Sequence, residues 1–339
     1  MILRKALSLY PTRLKIWFRT EAKAPAIGAI ESSPLLEIGA RFDRPIPGLW
    51  LGLKSKFSIA LSIAIFISFL FRPLCGTSIA EQFERAGYLE ISDKHGTAMF
   101  DSLYAYFDVF TEFLQKNPSW AQKLYSAKER FVRSKDRNYY STDFFGLYDE
   151  SKREGRSQVC FYYSNHFHEF ICSRYPEFSE VPEIVHFFEA CLKTQKPYGS
   201  LFSAAASELG LETIFSSEYK QPPILLKIVK YLPSYIPGRP HYDGTAFSLF
   251  LHSTDNQSLL LSPYKSSLTI DDFSSPPREF SNSVLLIPGA FLTEFFIYPT
   301  PHIVAQSSKI RYATIAFAMR PYFVPPKIEH SPLPSFIRN

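Results

Sequence analysis

From Ile224 onward the chain is a train of short apolar runs cut by turn-forming residues: ILLKIVKY, AFSLFLH, SLLLS, SLTI, SVLLIP, FFIY, HIVAQ and RYATIAFAMR. Runs of four to eight residues bounded by Gly, Pro, Asn, Asp and Ser read as strands, and their regular succession predicts an antiparallel sandwich or barrel. The stretch before it reads differently. Ile79, Phe83 and Ala86 recur at helical spacing until Gly87 stops them, Tyr88 to Ile91 alternates like a strand, and residues 93–96 read as a turn. Residues 99–114 place Phe100, Tyr104, Phe107 and Phe110 or Phe113 along one helical stripe, the signature of a core face. Residues 119–156 read as a solvated helix plus loop, and residues 181–209 as a long amphipathic helix that Gly199 interrupts. Helices first and strands later place the chain in the α+β class.

Charge is unevenly distributed. Of a net +5, residues 1–56 hold ten basic residues against four acidic ones, or +6, so the rest stands at −1. A basic nucleic-acid-binding body is therefore not expected. Residues 1–56 are read as a basic leader of unassigned fold. Phe57 to Phe71 follows as an uncharged run (FSIALSIAIFISFLF) of 15 residues, against the ~20 that a spanning helix needs. Three readings of residues 57–75 stand side by side: a membrane anchor, a secretory signal whose start lies near residue 50, and a first buried strand. They imply a cytoplasmic domain associated with the membrane through Phe57–Phe71, or an exported one. The four cysteines (Cys75, Cys160, Cys172 and Cys191) form no CxxC pair and are expected to be buried, reduced thiols. GxSxG, P-loop and GxGxxG patterns are absent from the sequence, which removes support for an α/β serine hydrolase, an NTPase and a Rossmann dehydrogenase.

The strand-rich part contains His241-Tyr242-Asp243. On a strand, residues i and i+2 share a face, so one imidazole and one carboxylate can reach one ion. His302 opens a later run, and Arg311 opens the last. Two imidazoles and one carboxylate form the facial set of non-haem Fe(II) oxygenases. Residues 306–309 read as a turn, which predicts that His302 and Arg311 lie on adjacent antiparallel strands. A guanidinium one strand away from iron is suited to holding a carboxylate. Phe247, Phe295 and Phe296 are candidate cavity-lining residues, and core packing explains each equally well. His166-Phe167-His168-Glu169, near Cys172, is a rival metal cluster if it is a strand, and otherwise a loop or surface pair.

Residues 78–322 resemble the isopenicillin N synthase-like group of non-haem Fe(II)/2-oxoglutarate-dependent oxygenases. Residues 84–96 (ERAGYLEISDKHG) are similar to its Gly-Phe-Phe…Asn-His-Gly segment, and Tyr175-Pro176 with Leu209-Gly210-Leu211 to its Trp-Pro…Leu-Gly-Leu stretch. Tyr231-Leu232-Pro233 resembles its Tyr-Pro strand, His241-Tyr242-Asp243 its His-x-Asp, Gly289 its Gly-Asp turn, and Arg311-Tyr312-Ala313 its Arg-x-Ser. The resemblance implies a double-stranded β-helix (jelly-roll) core over residues 223–325, flanked by the helix-rich residues 78–222 and followed by a tail, 326–339. It implies Fe(II) on His241, Asp243 and His302, and 2-oxoglutarate on Arg311 with help from Tyr231. O2 and a small-molecule substrate complete the expected reaction. The chain departs from the pattern at Lys94, Ala290 and Ala313. Ala313 removes a hydroxyl beside the 2-oxo acid carboxylate, which leaves a degenerate binding or structural module of the same fold as the alternative.

Overall fold

The computed structural model describes residues 78–93, 96–133, 145–151, 157–212, 224–233, 238–255, 257–276, 283–305, 307–319 and 335–336. The chain divides into two compact units, 1–62 and 63–339. The leader, the apolar run 57–71 and most of the tail lie outside the described residues. Among the described residues, no helix is long and apolar enough to cross a membrane.

Helix α1 (Ile79–Ala86) opens with a capping box, in which Ser78 and Glu81 each bond the other's backbone N–H. It stops at Gly87, whose φ of 81° suits a left-handed cap. Strand β1 (Leu89–Ser92) alternates buried and exposed residues as its sequence predicts. Helix α2 (Thr97–Lys116) buries Phe100, Leu103, Tyr104, Phe107, Phe110 and Leu114, the expected aromatic stripe. Phe110 stacks on Phe187 at 4.5 Å and meets Phe161 edge-on at 5.4 Å, so this stripe joins helix layer to sheet.

Helix α3 (Pro118–Arg133) is present as expected but is not solvated all round, since Leu124, Ala127 and Phe131 are buried in the core, and β2 (Gly146–Asp149) and β3 (Gln158–Tyr163) are strands. β3 lacks a polar face to mark it, since Val159, Cys160, Phe161 and Tyr163 are all buried. Residues 165–174 form a helix, α4, capped by Ser164, so the 166–169 segment is not a strand. The long helical region divides into α5 (Pro182–Gln195) and α6 (Gly199–Glu208). The break falls at a 3-10 turn over Lys196–Tyr198, where Pro197 lacks the N–H a continuing helix needs, and Gly199 starts the next helix.

The C-terminal strands are β4 (Ile224–Tyr231), β5 (Phe247–Ser253), β6 (Leu259–Leu261), β7 (Ser267–Leu268), β8 (Ser283–Pro288), β9 (His302–Val304), β10 (Arg311–Ala318) and the two-residue β11 (Ser335–Phe336). The run FFIY is not a strand: Ala290–Phe295 is a 3-10 helix ending at Phe296, which has a φ of 62°. The large antiparallel sheet has the order β1-β8-β5-β10-β4-β3-β2. A small sheet pairs β6 with β9, and is extended on one side by His241 bridging His302 and on the other by Ser274 bridging Leu261.

Followed along the chain, β4 lies in the large sheet, His241 in the small, β5 in the large and β6 and Ser274 in the small. β8 then returns to the large sheet, β9 to the small and β10 to the large. That alternation is the path of a double-stranded β-helix, and the four large-sheet strands it visits, β8-β5-β10-β4, are the contiguous centre of the seven-stranded order. The class expected from sequence, α+β with a jelly-roll core, is thus the observed one. One irregularity occurs in the large sheet, where the β5–β10 register shifts between Thr314 and Ile315.

One close backbone approach fixes the interior. Gly289 ends β8, and a Cβ there would stand 2.1 Å from the Thr245 carbonyl oxygen. Its N–H donates to Ala246, and the next N–H, of Ala290, donates to the Asp243 carbonyl at 2.7 Å. Gly289→Ala is expected to force these backbones apart and lower stability by about 1–3 kcal/mol, read from the urea midpoint. An unchanged midpoint would show that the turn yields freely.

Candidate metal centre

Each of the three ligand candidates is placed by a different device. His302 lies on β9, and His241 is held to it by reciprocal backbone hydrogen bonds of 3.0 and 2.8 Å. Asp243 follows in the turn that Gly289 and Ala290 pin from β8. His241 is a single bridge residue, and the expected strand does not continue through Asp243. Even so, the three residues offer donor atoms that all lie within 4.8 Å of one another. His302 is buried, Asp243 half-buried and His241 exposed.

Hydrogen bonding selects the free ring nitrogens. His241 Nδ1 lies 3.0 Å from the Arg239 carbonyl, and His302 Nδ1 lies 3.2 Å from that of Thr300. A carbonyl oxygen only accepts, so each Nδ1 carries the proton and each Nε2 keeps its lone pair. His302 Nε2 stands 3.8 Å from Asp243 Oδ2. The two imidazole rings are 4.2 Å apart, and Phe250 meets His302 edge-on at 5.6 Å. Although the His241 residue is partly open to solvent, loss of hydration around its ring and the neighbouring His302 pull the imidazole below its ordinary range, which favours the neutral form. Burial works against the Asp243 carboxylate, but His302, His241 and the Ser248 hydroxyl outweigh it and keep its pKa below the usual range.

Ser248 could not be read from the sequence. It lies on β5, fully buried, and donates to Asp243 Oδ2 at 2.6 Å while sharing a 3.2 Å hydrogen bond with Thr245. Only the β5 register reveals that this serine turns inward.

Arg311 is buried at the start of β10. It is not on a strand adjacent to His302, as the sequence suggested. β9 pairs with β6 in the small sheet, and β10 lies between β4 and β5 in the large one, so the two residues lie on opposite sheets. The guanidinium stacks over the Tyr231 ring at 4.0 Å. Its two terminal nitrogens donate to Ser258 Oγ at 2.8 Å and to the Ala305 carbonyl at 3.0 Å. Its Nε is buried and has no hydrogen-bond partner among the described residues. A buried donor left unpaired costs about 1–3 kcal/mol, which an accepting carboxylate would relieve. Ala313 places a methyl two residues on. Thr314 faces the helix layer, where its hydroxyl donates to Tyr104 at 3.1 Å. The nearby hydroxyl is therefore that of Ser258, and it anchors the arginine itself.

The other expected candidates fall away. Phe247 is buried against Phe202 of α6, on the outer face of the sheet. Phe295 and Phe296 are 36% and 85% exposed, so they line no closed interior. Within α4, His166 and His168 are two residues apart on a helix and do not share a face. His168 instead lies 2.9 Å from the Tyr163 hydroxyl, and His166 packs beside Phe131. Cys160 and Cys191 are buried as expected, whereas Cys172 is exposed. Cys75 lies outside the described residues.

No protein-family profile matches the chain, and no curated protein matches it. Solved structures do resemble it. A Caulobacter crescentus protein assigned to the 2OG-Fe(II) oxygenase family aligns over 77% of this chain and 85% of its own, with 16% identity and a TM-score of 0.46. The 2-oxoglutarate complex of the Arabidopsis thaliana dioxygenase for auxin oxidation 1 aligns over 76% and 93%, with 16% identity and a TM-score of 0.47. The dioxygenase for auxin oxidation from rice aligns over 75% and 82%, with 12% identity and a TM-score of 0.46. The architecture assigned to this chain rests on its own strand order.

Ser248→Ala removes the hydroxyl that orients Asp243 while leaving all three donor residues. Affinity for Fe(II) or Co(II), titrated anaerobically, is expected to fall about 10–100-fold. Unchanged affinity would mean that Asp243 needs no such support.

Proposed function

We propose that this chain is an Fe(II)-dependent oxygenase of the isopenicillin N synthase-like kind, with His241, Asp243 and His302 as the iron ligands and 2-oxoglutarate as co-substrate. The observation that carries the reading is convergence: two Nε2 lone pairs and one carboxylate meet between the two sheets, although 59 residues of sequence separate Asp243 from His302. The donor set of two imidazoles and one carboxylate, with both rings in the correct tautomer, suits a divalent iron and leaves positions open for reactants. Bound iron would supply O2 activation. In the net reaction, one oxygen atom enters succinate as 2-oxoglutarate loses CO2, and the other enters the oxidised substrate.

The protein's own part is binding and orientation. Arg311 would hold the distal carboxylate of 2-oxoglutarate through its unpaired Nε–H, and Tyr231 beneath it would keep the guanidinium plane aligned. In this reading residues 223–325 form the catalytic core, and residues 78–222 form its supporting layer. The substrate is a small molecule and nucleic acid is not a partner. A second reading, a binding module of the same fold that has lost turnover, rests on Ala313, which leaves Arg311 without the hydroxyl that resemblance leads one to expect.

The chain, reconstituted with Fe(II) under anaerobic conditions, is expected to form succinate from 2-oxoglutarate when O2 is admitted. His241→Ala should abolish this, and equal turnover by both proteins would end the catalytic reading. Arg311→Met should raise the KM for 2-oxoglutarate about tenfold or more while metal binding persists. An unmoved KM would remove Arg311 from co-substrate binding.

A further inference from the structure

Strand β4 carries a second inward cation that the iron reading does not use. Lys230 faces the helix layer, where its Nζ meets Asp108 of α2 at 2.8 Å. Alternation along the strand therefore turns Lys227, like Tyr231, toward the interior. Lys227 is half-buried and pairs in register with Tyr162 of β3, with Nζ 5.5 Å from the centre of that ring. Tyr162 meets Tyr148 of β2 edge-on at 5.6 Å. These tyrosines and Lys227 form an aromatic wall ending in a positive charge, on the part of the large sheet next to the iron ligands.

The charge balance at this wall is incomplete. Among the described residues, Lys227 forms no ion pair with a carboxylate. Burial opposes its charge, and the titratable groups around it are Tyr162, Tyr231, Cys160 and Asp243. Asp243 is the one carboxylate in that set, and it already serves two imidazoles. Half-buried ammonium groups without their own counter-ion are costly, and a ligand anion relieves that cost. The anion is not the one Arg311 would take. Arg311 is level with Tyr231, and Lys227 lies four residues further along β4, roughly 13 Å away along the strand.

Building on the oxygenase reading, we propose that Lys227 is a specificity residue that binds a carboxylate of the substrate, with Tyr162 and Tyr148 flanking the substrate's apolar body. The substrate class is then a small organic acid.

The test uses the full chain and a panel of aryl and alkyl carboxylates, each beside its neutral amide, phenylacetate with phenylacetamide being the first pair. Binding is read by calorimetry with 2-oxoglutarate and Co(II) present, so no turnover is required. At least one acid should bind about tenfold or more tighter than its amide. Lys227→Met should erase that preference and Lys227→Arg should retain it. Circular dichroism of each variant confirms the fold. Acids and amides binding alike across the panel, absence of any binding, or a preference surviving in Lys227→Met would each overturn the proposal. Succinate formation in a chain without acid preference sinks this inference alone. Acid preference in a chain that forms no succinate sinks the oxygenase reading and leaves Lys227 as an acid-binding residue.

Discussion

The two hydrogen bonds between the backbones of His241 and His302 are the constraint on which the site depends. They make the small sheet continuous from the segment after β4 to β9, and they place two imidazoles side by side without any side-chain bond between them. Everything else adjusts one remaining group against that pair. The β8 turn pins the Asp243 backbone, and Ser248 turns its carboxylate. A side-chain cluster built on backbone pairing resists side-chain substitution, because the strands converge whether or not imidazoles are present. It is correspondingly sensitive to anything that separates the sheets, which is why Gly289, remote from the chemistry in type, is close to it in effect.

Much of the fold was legible in the sequence because the strand runs were short, apolar and well punctuated. SVLLIP and RYATIAFA became β8 and β10 almost residue for residue. The failures have physical causes. QVCFYY is buried on both faces, so no polar alternation marked it as a strand. FFIY has the composition of a strand, yet its residues lie in a 3-10 turn and the exposed segment after it. The three candidate donors, His241, Asp243 and His302, could be picked out from spacing and do lie together, but their supports could not be read. Ser248 and Ser258 are ordinary serines until the register shows which one turns toward a carboxylate and which one holds a guanidinium. The position of Arg311 was misread for the same reason. A turn between two strands does not reveal whether the chain stays in its sheet or crosses to the other.

The helix layer is coupled to the interior through Tyr104. Its hydroxyl accepts from Thr314 of β10 and lies 3.1 Å from His252 Nδ1 of β5, while its ring stacks on Tyr312 at 4.9 Å. Two strands of the core are thus tied to one residue of α2. Burial pushes the tyrosine hydroxyl far above its ordinary range, so it stays neutral and works only as a hydrogen-bonding hub.

The register shift between β5 and β10 has a compositional consequence. In β5, Ser248 and Phe250 face the interior, toward Asp243 and His302. Uninterrupted alternation would carry His252 inward as well. The extra residue at the shift turns it outward instead, to stack on Phe100 at 4.7 Å. A third imidazole in the cavity would join the cluster of His241, Asp243 and His302. By adding one residue to a strand, the chain keeps the cluster at two imidazoles and one carboxylate, and the number of candidate donors becomes a property of the backbone.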